Sequence, residues 1–382
     1  MDWMLGPFVK QDGANPILGA CFDARFACPV RGRPVRWRAR AIIGAAAVVK
    51  DDQLWVVYHA EDTESGYAGL RGSPGTMRLG LAASADGLDY QCREEPVLYP
   101  AEDFMKEAEW PGGCEIPRLV EGPERTYYLY YSAWNKTVTR LAVATSTDLV
   151  HWEKRGLAFG KAADGRWHNL WSKAGAVVTT LENGRLVAAR LNGLYWMYWG
   201  ESEIFVATSP DLIDWSPVTW PKDTGRPARE SPAQVDPARN QAARDLYVTQ
   251  EPRTGMFDSG LVEGGVAVLT ENGIVHIYNA GDDNSSEADA WKTSDVYYSL
   301  GQALYDANDP VRLLQRSDSA FLRPDREYEI LGAIPNVVYC TGIAYFRDKW
   351  WLFYNGADWV VNVATSVAPR QAQRHFQPPK AT

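Results

Sequence analysis

The sequence predicts an all-β chain closed as a five-bladed β-propeller, on three observations. A short strand-and-turn pattern recurs along its length. Residues 79–90 read LGLAASADGLDY, residues 141–152 LAVATSTDLVHW and residues 204–215 IFVATSPDLIDW. Ser84, Ser146 and Ser209 are 62 and 63 residues apart, and weaker echoes follow in YYSLGQALYDANDP (297–310) and in VNVATS, which ends at Ser366. Five echoes at this spacing indicate a five-unit array. Second, the runs between echoes alternate with period two and are rich in β-branched and aromatic residues. Third, no long amphipathic helix interrupts them; DFMKEAEW (103–110) is the only candidate, at about two turns.

Each unit is justified in turn by its strand runs. LWVVYHAED (54–62), TYYLYYSAW (126–134), RLVAARLNG (185–193), IVHIYNAG (274–281) and KWWLFYNGAD (349–358) are bounded by Gly, Asp, Asn or Pro. Four short strands per unit, set radially, protect the sheet edges. The S-x-D-L segments read as turns in which Asp148 and Asp211 bond local backbone, while Trp152 and Trp215 pack between units. Repetition in several units makes these aspartates structural. The whole chain, 1–382, reads as one domain with short terminal extensions and an insertion at about 220–257. The Pro-, Arg- and Asp-rich stretch from Trp220 to Asn240 opens that insertion, and EADAWKTSD (287–295) reads as a flexible loop.

Composition narrows the function. The net charge of −9 has no Lys/Arg-rich face beside it, which argues against a nucleic-acid partner. No apolar run approaches the roughly 18 residues of a membrane span, and MDWMLGPFVK lacks a secretory pattern. The five cysteines include no C-x-x-C pair, so neither a zinc site nor a disulfide framework is expected, and reduced thiols fit a cytoplasmic protein. No metal or cofactor is expected. Sixteen Trp and nineteen Tyr are far above ordinary usage; packing accounts for most of them, and flat aromatic faces also suit sugar C–H surfaces.

Function is expected where the innermost strands end at one mouth of the funnel. Those ends are polar: His59 to Asp62, Glu115 to Arg118, Lys173, Glu201 to Glu203, Asp258 to Glu263, Asn279 to Asp283 and Asn355 to Asp358. Strand alternation would set Glu201 and Glu203 on one face, and paired carboxylates in unlike environments divide acid and base roles. Arg140, Lys173 and Arg190 are candidate ligands for an anion or for hydroxyls. Their convergence would suit phosphate; pairing with Glu201 and Glu203 would favour hydrolysis or simple binding. Asp62, Asp258 and Asp358 either contact sugar hydroxyls or cap turns. His59 and His276 alternate with apolar residues and read as wall or core histidines.

Ten segments in order, among them FVKQDGANPIL (8–18), YPAEDFMKEAEWPGGCEIPR, LAVATSTDLVHWEKRG, FDSGLVE, GQALYDANDP and YNGAD, resemble glycoside hydrolase family 130 over about residues 8–366. That resemblance implies a five-bladed propeller and inverting cleavage of β-mannosides, by phosphorolysis or hydrolysis. It also implies a general acid, the aspartate of an E-D-P-R motif. Here the motif is Glu115-Ile116-Pro117-Arg118, and an alkyl side chain at Ile116 has no proton to give. The F-N-P-A-A run of the family is replaced by Ile43-Gly44-Ala45-Ala46, and Asn279 stands where many relatives carry histidine.

The expectation is therefore an enzyme acting on a short β-mannoside-type glycoside, with Glu201 or Glu203 as base. Glu115 or Asp62 would replace the missing acid, unless the substrate carries a good leaving group. Asp62, Arg118, Arg140, Lys173, Arg190, Asp258, Asn279 and Asp358 would bind substrate. The partners expected are a small oligosaccharide and, if phosphorolytic, inorganic phosphate; a homo-oligomer is left open. Two alternatives stand: a sugar-binding propeller without turnover, and a glycosidase of non-mannoside specificity.

Overall fold

The computed structural model describes residues 2–63, 75–220, 243, 245–282 and 297–367. Within them the protein is all-β, and helix is confined to short turns such as Lys106–Glu109 (α1) and Glu327–Ile330 (α2). The expected two-turn helix at 103–110 is therefore a single turn. Three short strands open the chain: β1 (Val9–Lys10), β2 (Phe26–Cys28) and β3 (Arg33–Val35). Long antiparallel meanders follow. The first is β4 (Ala41–Lys50), β5 (Gln53–Glu61), β6 (Met77–Ser84) and β7 (Gln91–Cys92). The second is β8 (Gly113–Glu121), β9 (Tyr127–Trp134), β10 (Thr139–Ser146) and β11 (Glu153–Leu157).

The third meander is more broken. Its strands are β12 (Ala176–Glu182), β13 (Arg185–Ala188), β14 (Arg190–Leu191), β15 (Leu194–Trp199), β16 (Ile204–Ser209) and β17 (Ser216–Pro217). Strand β18 (Val248–Gln250) adds to β16. The expected insertion thus returns to the sheet at its far end, while residues 221–242 lie outside the described residues, as do 287–295. The fourth meander is β19 (Leu261–Thr270), β20 (Gly273–Gly281), β21 (Tyr298–Tyr305) and β22 (Leu313–Arg316). The last is β23 (Val338–Phe346), β24 (Lys349–Gly356) and β25 (Val360–Val367), to which the N-terminal β1 adds as a fourth strand through Val9 opposite Thr365. The two ends of the chain thereby share one sheet.

The turns behave as the repeats require. Ser84 with Asp86, Ser146 with Asp148, and Ser209 with Asp211 form the same unit: each Asp Oδ1 accepts backbone N–H groups two and three residues on. These aspartates are committed to turn geometry. Trp215 is buried against Tyr130 of the preceding meander, with ring centroids 5.8 Å apart. A second repeat shows only in three dimensions. Tyr58, Tyr130, Tyr198, Tyr278 and Tyr354, one on the second long strand of each meander, are all fully buried. Tyr58 lies over Gly80, and Tyr278 likewise over Gly301, where any Cβ would meet the phenol ring within 2.6 Å.

The first strands β4, β8, β12, β19 and β23 approach one another at the centre. Segments of all five line one narrow cavity of about 40 Å³. Ala45 N–H donates to Thr341 Oγ1 at 2.6 Å, tying β4 to β23. Val178 to Thr180 of β12 run parallel to Ala267 to Leu269 of β19.

Candidate active site

Four of the first strands are broken at the same depth. Register shifts fall at Ile43/Ala45 in β4, Glu115/Arg118 in β8, Glu263/Val266 in β19 and Cys340/Gly342 in β23. A bulge re-aims the side chains beside it and leaves carbonyls unpaired. Gly44 takes φ 57°, and Gly264 has no room for a Cβ, which would sit 2.1 Å from the Ala174 carbonyl oxygen. At the equivalent point of β8 the residue is Ile116, with φ 50°. A β-branched residue in the left-handed region is an outlier, whereas Asp or Asn tolerates it.

Above the bulges lies a cavity of about 240 Å³. Glu115, Lys173, Glu201 and Asp358 line it, as the sequence led one to expect, and Ile116 and His59 line it too. Lys173 is its centre. Its Nζ donates to Glu201 Oε1 at 3.2 Å, while Trp171 Nε1 donates to Glu201 Oε2 at 2.9 Å. Both Glu201 oxygens are therefore held. Burial alone would lower the lysine, but Glu201, Glu263 and Glu115 together hold its pKa well above the ordinary value. Burial pushes the Glu115 carboxyl up to about 7, against the pull of Lys173. Glu263 is also raised to about 7 by burial, although Lys173 and a 2.5 Å hydrogen bond from Tyr339 Oη act the other way. Burial raises Asp358 to about 6, and Asn355 Nδ2 donates to its Oδ1.

His59 is buried, and its Nδ1 accepts the Ile116 N–H at 3.2 Å. Desolvation, with Lys173 and Arg118 nearby, depresses its pKa to about 3, so the ring is neutral with the proton on Nε2.

Ile43, Met77, Ile116, Ile334 and Val337 are the apolar part of the cavity lining. The two positions at which the sequence departs from the family pattern, Ile43 and Ile116, thus face one space. Glu263, Tyr298, Tyr339, Thr341 and Asn355 also line the cavity, though the sequence singled out none of them as a ligand. For Glu263 the available signal was the glycine pair that follows it, which marks a bulge in a strand.

Other expected ligands lie elsewhere. Glu203 does not line the cavity, which corrects the alternation argument: residues 201–203 form a bend with Ser202 at φ 78°, and strand periodicity starts only at Ile204. Arg118 sits beneath the cavity and donates to the carbonyls of Gly264 at 2.7 Å and Gly265 at 2.9 Å. Asn279 stands beside it, donating to the Gly264 and Cys340 carbonyls and accepting the Cys340 N–H. These two side chains close the floor by satisfying backbone groups that the bulges leave open. Asp62 forms a fully buried ion pair with Arg78 at 2.7 Å. Asp258 is enclosed by Arg253, Arg316 and Tyr278. Arg140 bonds Asn169 Oδ1, and Arg190 bonds the Gly193 and Pro210 carbonyls. His276, the expected core histidine, is fully buried and stacked on Tyr198.

The chain resembles known proteins over most of its length. The profile of glycoside hydrolase family 130, described as β-1,4-mannooligosaccharide phosphorylase, matches residues 65–369. A 1,2-β-oligomannan phosphorylase of Thermoanaerobacter sp. is 26% identical, with 86% of this chain and 90% of that protein aligned. A glycosyl hydrolase structure from Bacteroides ovatus superposes with a TM-score of 0.84 at 37% identity, covering 96% of this chain and 94% of that one. A second structure superposes at 0.85 and 37%, covering 97% and 98%. It is described with family members that are glycoside hydrolases targeting β-1,2 mannosidic linkages in Candida mannan.

Proposed function

The chain belongs to glycoside hydrolase family 130, and from that premise we propose that it hydrolyses short β-mannosides with inversion, using water rather than phosphate. The observation that carries this reading is the charge of the cavity. Lys173 shares one cavity with Glu115, Glu201, Glu263 and Asp358, and it forms an ion pair with Glu201. An inorganic phosphate would meet that excess of carboxylates without the compensating arginines, since Arg140 and Arg190 bond elsewhere. Water has no such penalty.

Glu201 is the base. Lys173 and Trp171 hold its two oxygens, and it accepts a proton from water as the water oxygen attacks the anomeric carbon. Glu263 flanks it. Glu115 supplies the proton that Ile116 lacks: a carboxyl pushed up to about 7 retains its proton at neutral pH in a useful fraction of molecules. The glycosidic oxygen leaves with the bonding pair and takes that proton. Asp358 and Asn355 grip sugar hydroxyls, and the His59 Nε2–H donates to the substrate.

The five meanders are the blades of a propeller in this reading. It is supported by the shared central cavity and by the buried tyrosine repeated in each. The chain acts as one domain in the cytoplasm. The five free cysteines favour that compartment, and among the described residues no helix is long and apolar enough to cross a membrane.

The test is incubation with β-1,2- and β-1,4-mannobiose, with and without phosphate. Free mannose whose release is lost in Glu201→Gln supports the reading. Ile116 favours a second reading, a sugar-binding protein without turnover. Calorimetric binding of mannobiose with no product would establish that one instead.

A further inference from the structure

The apolar wall of the cavity does not end at its mouth. Ile334, which lines the cavity, is 47% exposed, and its N–H donates to the Ala357 carbonyl at 3.0 Å. Next along the same segment, Leu331 is 63% exposed, and Trp359 beside it is 38% exposed. Gly332 fixes their approach: a Cβ there would meet Ala357 and Trp359 within 2.9 Å. Leu331 and Trp359 line a recess of about 300 Å³ together with Tyr328. Trp359 is joined in turn to the cavity wall, because the Ile42 N–H donates to its carbonyl and Ile43 follows. Nine large apolar side chains are exposed among the described residues, and three of them (Leu331, Ile334 and Trp359) line this recess or the cavity. Apolar surface concentrated beside a site marks binding.

We propose that the aglycone of the natural substrate is apolar, an alkyl or aryl group. It lies along a track from Ile116 and Ile43, past Ile334, to Leu331 and Trp359. The carboxylates hold the sugar, and the aliphatic side chains contact the aglycone. This rests on the hydrolase reading above, and it adds the substrate class. A second sugar laid along Ile43, Met77, Ile116 and Val337 would gain no hydrogen bond from those side chains. A hydrocarbon gains with every methylene it buries. The occupant argued here is a substrate group because Ile334 lines the cavity and is itself exposed, three residues from Leu331 of the recess.

The experiment compares methyl, hexyl and octyl β-D-mannopyranoside with β-1,2-mannobiose on the full chain. Each added methylene is expected to raise kcat/KM, by up to about fourfold if fully buried. The octyl-to-methyl ratio is expected to fall at least tenfold in Leu331→Ser and in Trp359→Ser. Mannobiose cleaved better than the octyl glycoside, or no dependence on chain length, would overturn the inference and leave the hydrolase reading intact. If no glycoside is cleaved, the hydrolase reading fails, and calorimetry with octyl β-D-mannopyranoside decides the track separately: binding that Leu331→Ser weakens supports it, and absence of binding overturns it. Self-association that Leu331→Ser abolishes would also overturn it, since a second copy would then cover the patch.

Discussion

Lys173 Nζ lies 3.2 Å from Glu201 Oε1, and the other oxygen of that carboxylate accepts from Trp171. The pair anchors one carboxylate in a cavity where burial raises Glu115 and Glu263 to about 7. Glu201→Gln keeps the shape and an acceptor for the indole N–H while removing the base. Turnover should fall by about 10²–10⁴-fold with little change in thermal stability. A variant that retains wild-type turnover would remove Glu201 from the chemistry.

Glu115 sets the alkaline side of the activity profile. Its carboxyl must carry a proton to donate one, so kcat/KM should decline as pH rises through about 7. Glu115→Gln should lower turnover of alkyl mannosides far more than that of p-nitrophenyl mannoside, whose leaving group needs no proton. The pH–rate profile of both substrates reads this directly; equal losses on the two would rule out an acid role.

The same carboxyls make the fold sensitive to pH. Glu115 and Glu263 rise to about 7 from an ordinary 4.5, and Asp358 to about 6 from 3.8. Between the ordinary and the raised values the folded state binds more protons than the unfolded chain, so stability falls as pH rises through this window. Their contribution is greatest below about pH 4 and is lost by about pH 7. Thermal unfolding between pH 5 and 8 should show the decline, and Glu263→Gln should flatten it.

Ile116 sits at φ 50° in the bulge of β8. A non-glycine residue in a sparse backbone region costs about 1–3 kcal/mol. Ile116→Asn should relieve part of this, because Asn tolerates the left-handed region, and should raise stability by roughly 1 kcal/mol in denaturant unfolding. Ile116→Asp should do the same and also speed oligosaccharide cleavage. A destabilised Ile116→Asn would mean that the aliphatic packing outweighs the strain.

Asp62 tests the difference between a site residue and a structural one. It is fully buried against Arg78, and Thr76 N–H donates to it. Asp62→Ala leaves a buried guanidinium without its carboxylate, at a cost of about 3–5 kcal/mol. Normal stability together with lost sugar affinity would reverse that assignment.

The sequence carried much of the architecture, because turns are local. The S-x-D units around Ser146 and Ser209 read correctly, and the polar ends at Glu115, Lys173, Glu201 and Asp358 line one cavity. What it did not carry was the bulges. Arg118 and Asn279 look like ligands at strand ends, yet they are spent on the Gly264 and Cys340 carbonyls that a regular ladder would have satisfied. Glu203 looked paired with Glu201 only while the bend at Ser202 was taken for strand. Arg78, sixteen residues from Asp62, gave no local sign of its partner. The apolar wall was equally hidden, since Ile43 and Ile116 are 73 residues apart and each alone reads as core.

The central claim is hydrolysis by carboxylate-activated water, and product analysis in ¹⁸O-water with phosphate present tests it most directly. The account predicts mannose carrying ¹⁸O at its anomeric carbon, at a rate that phosphate does not raise and that Glu201→Gln abolishes. Mannose 1-phosphate as the product, with no labelled mannose, would contradict it.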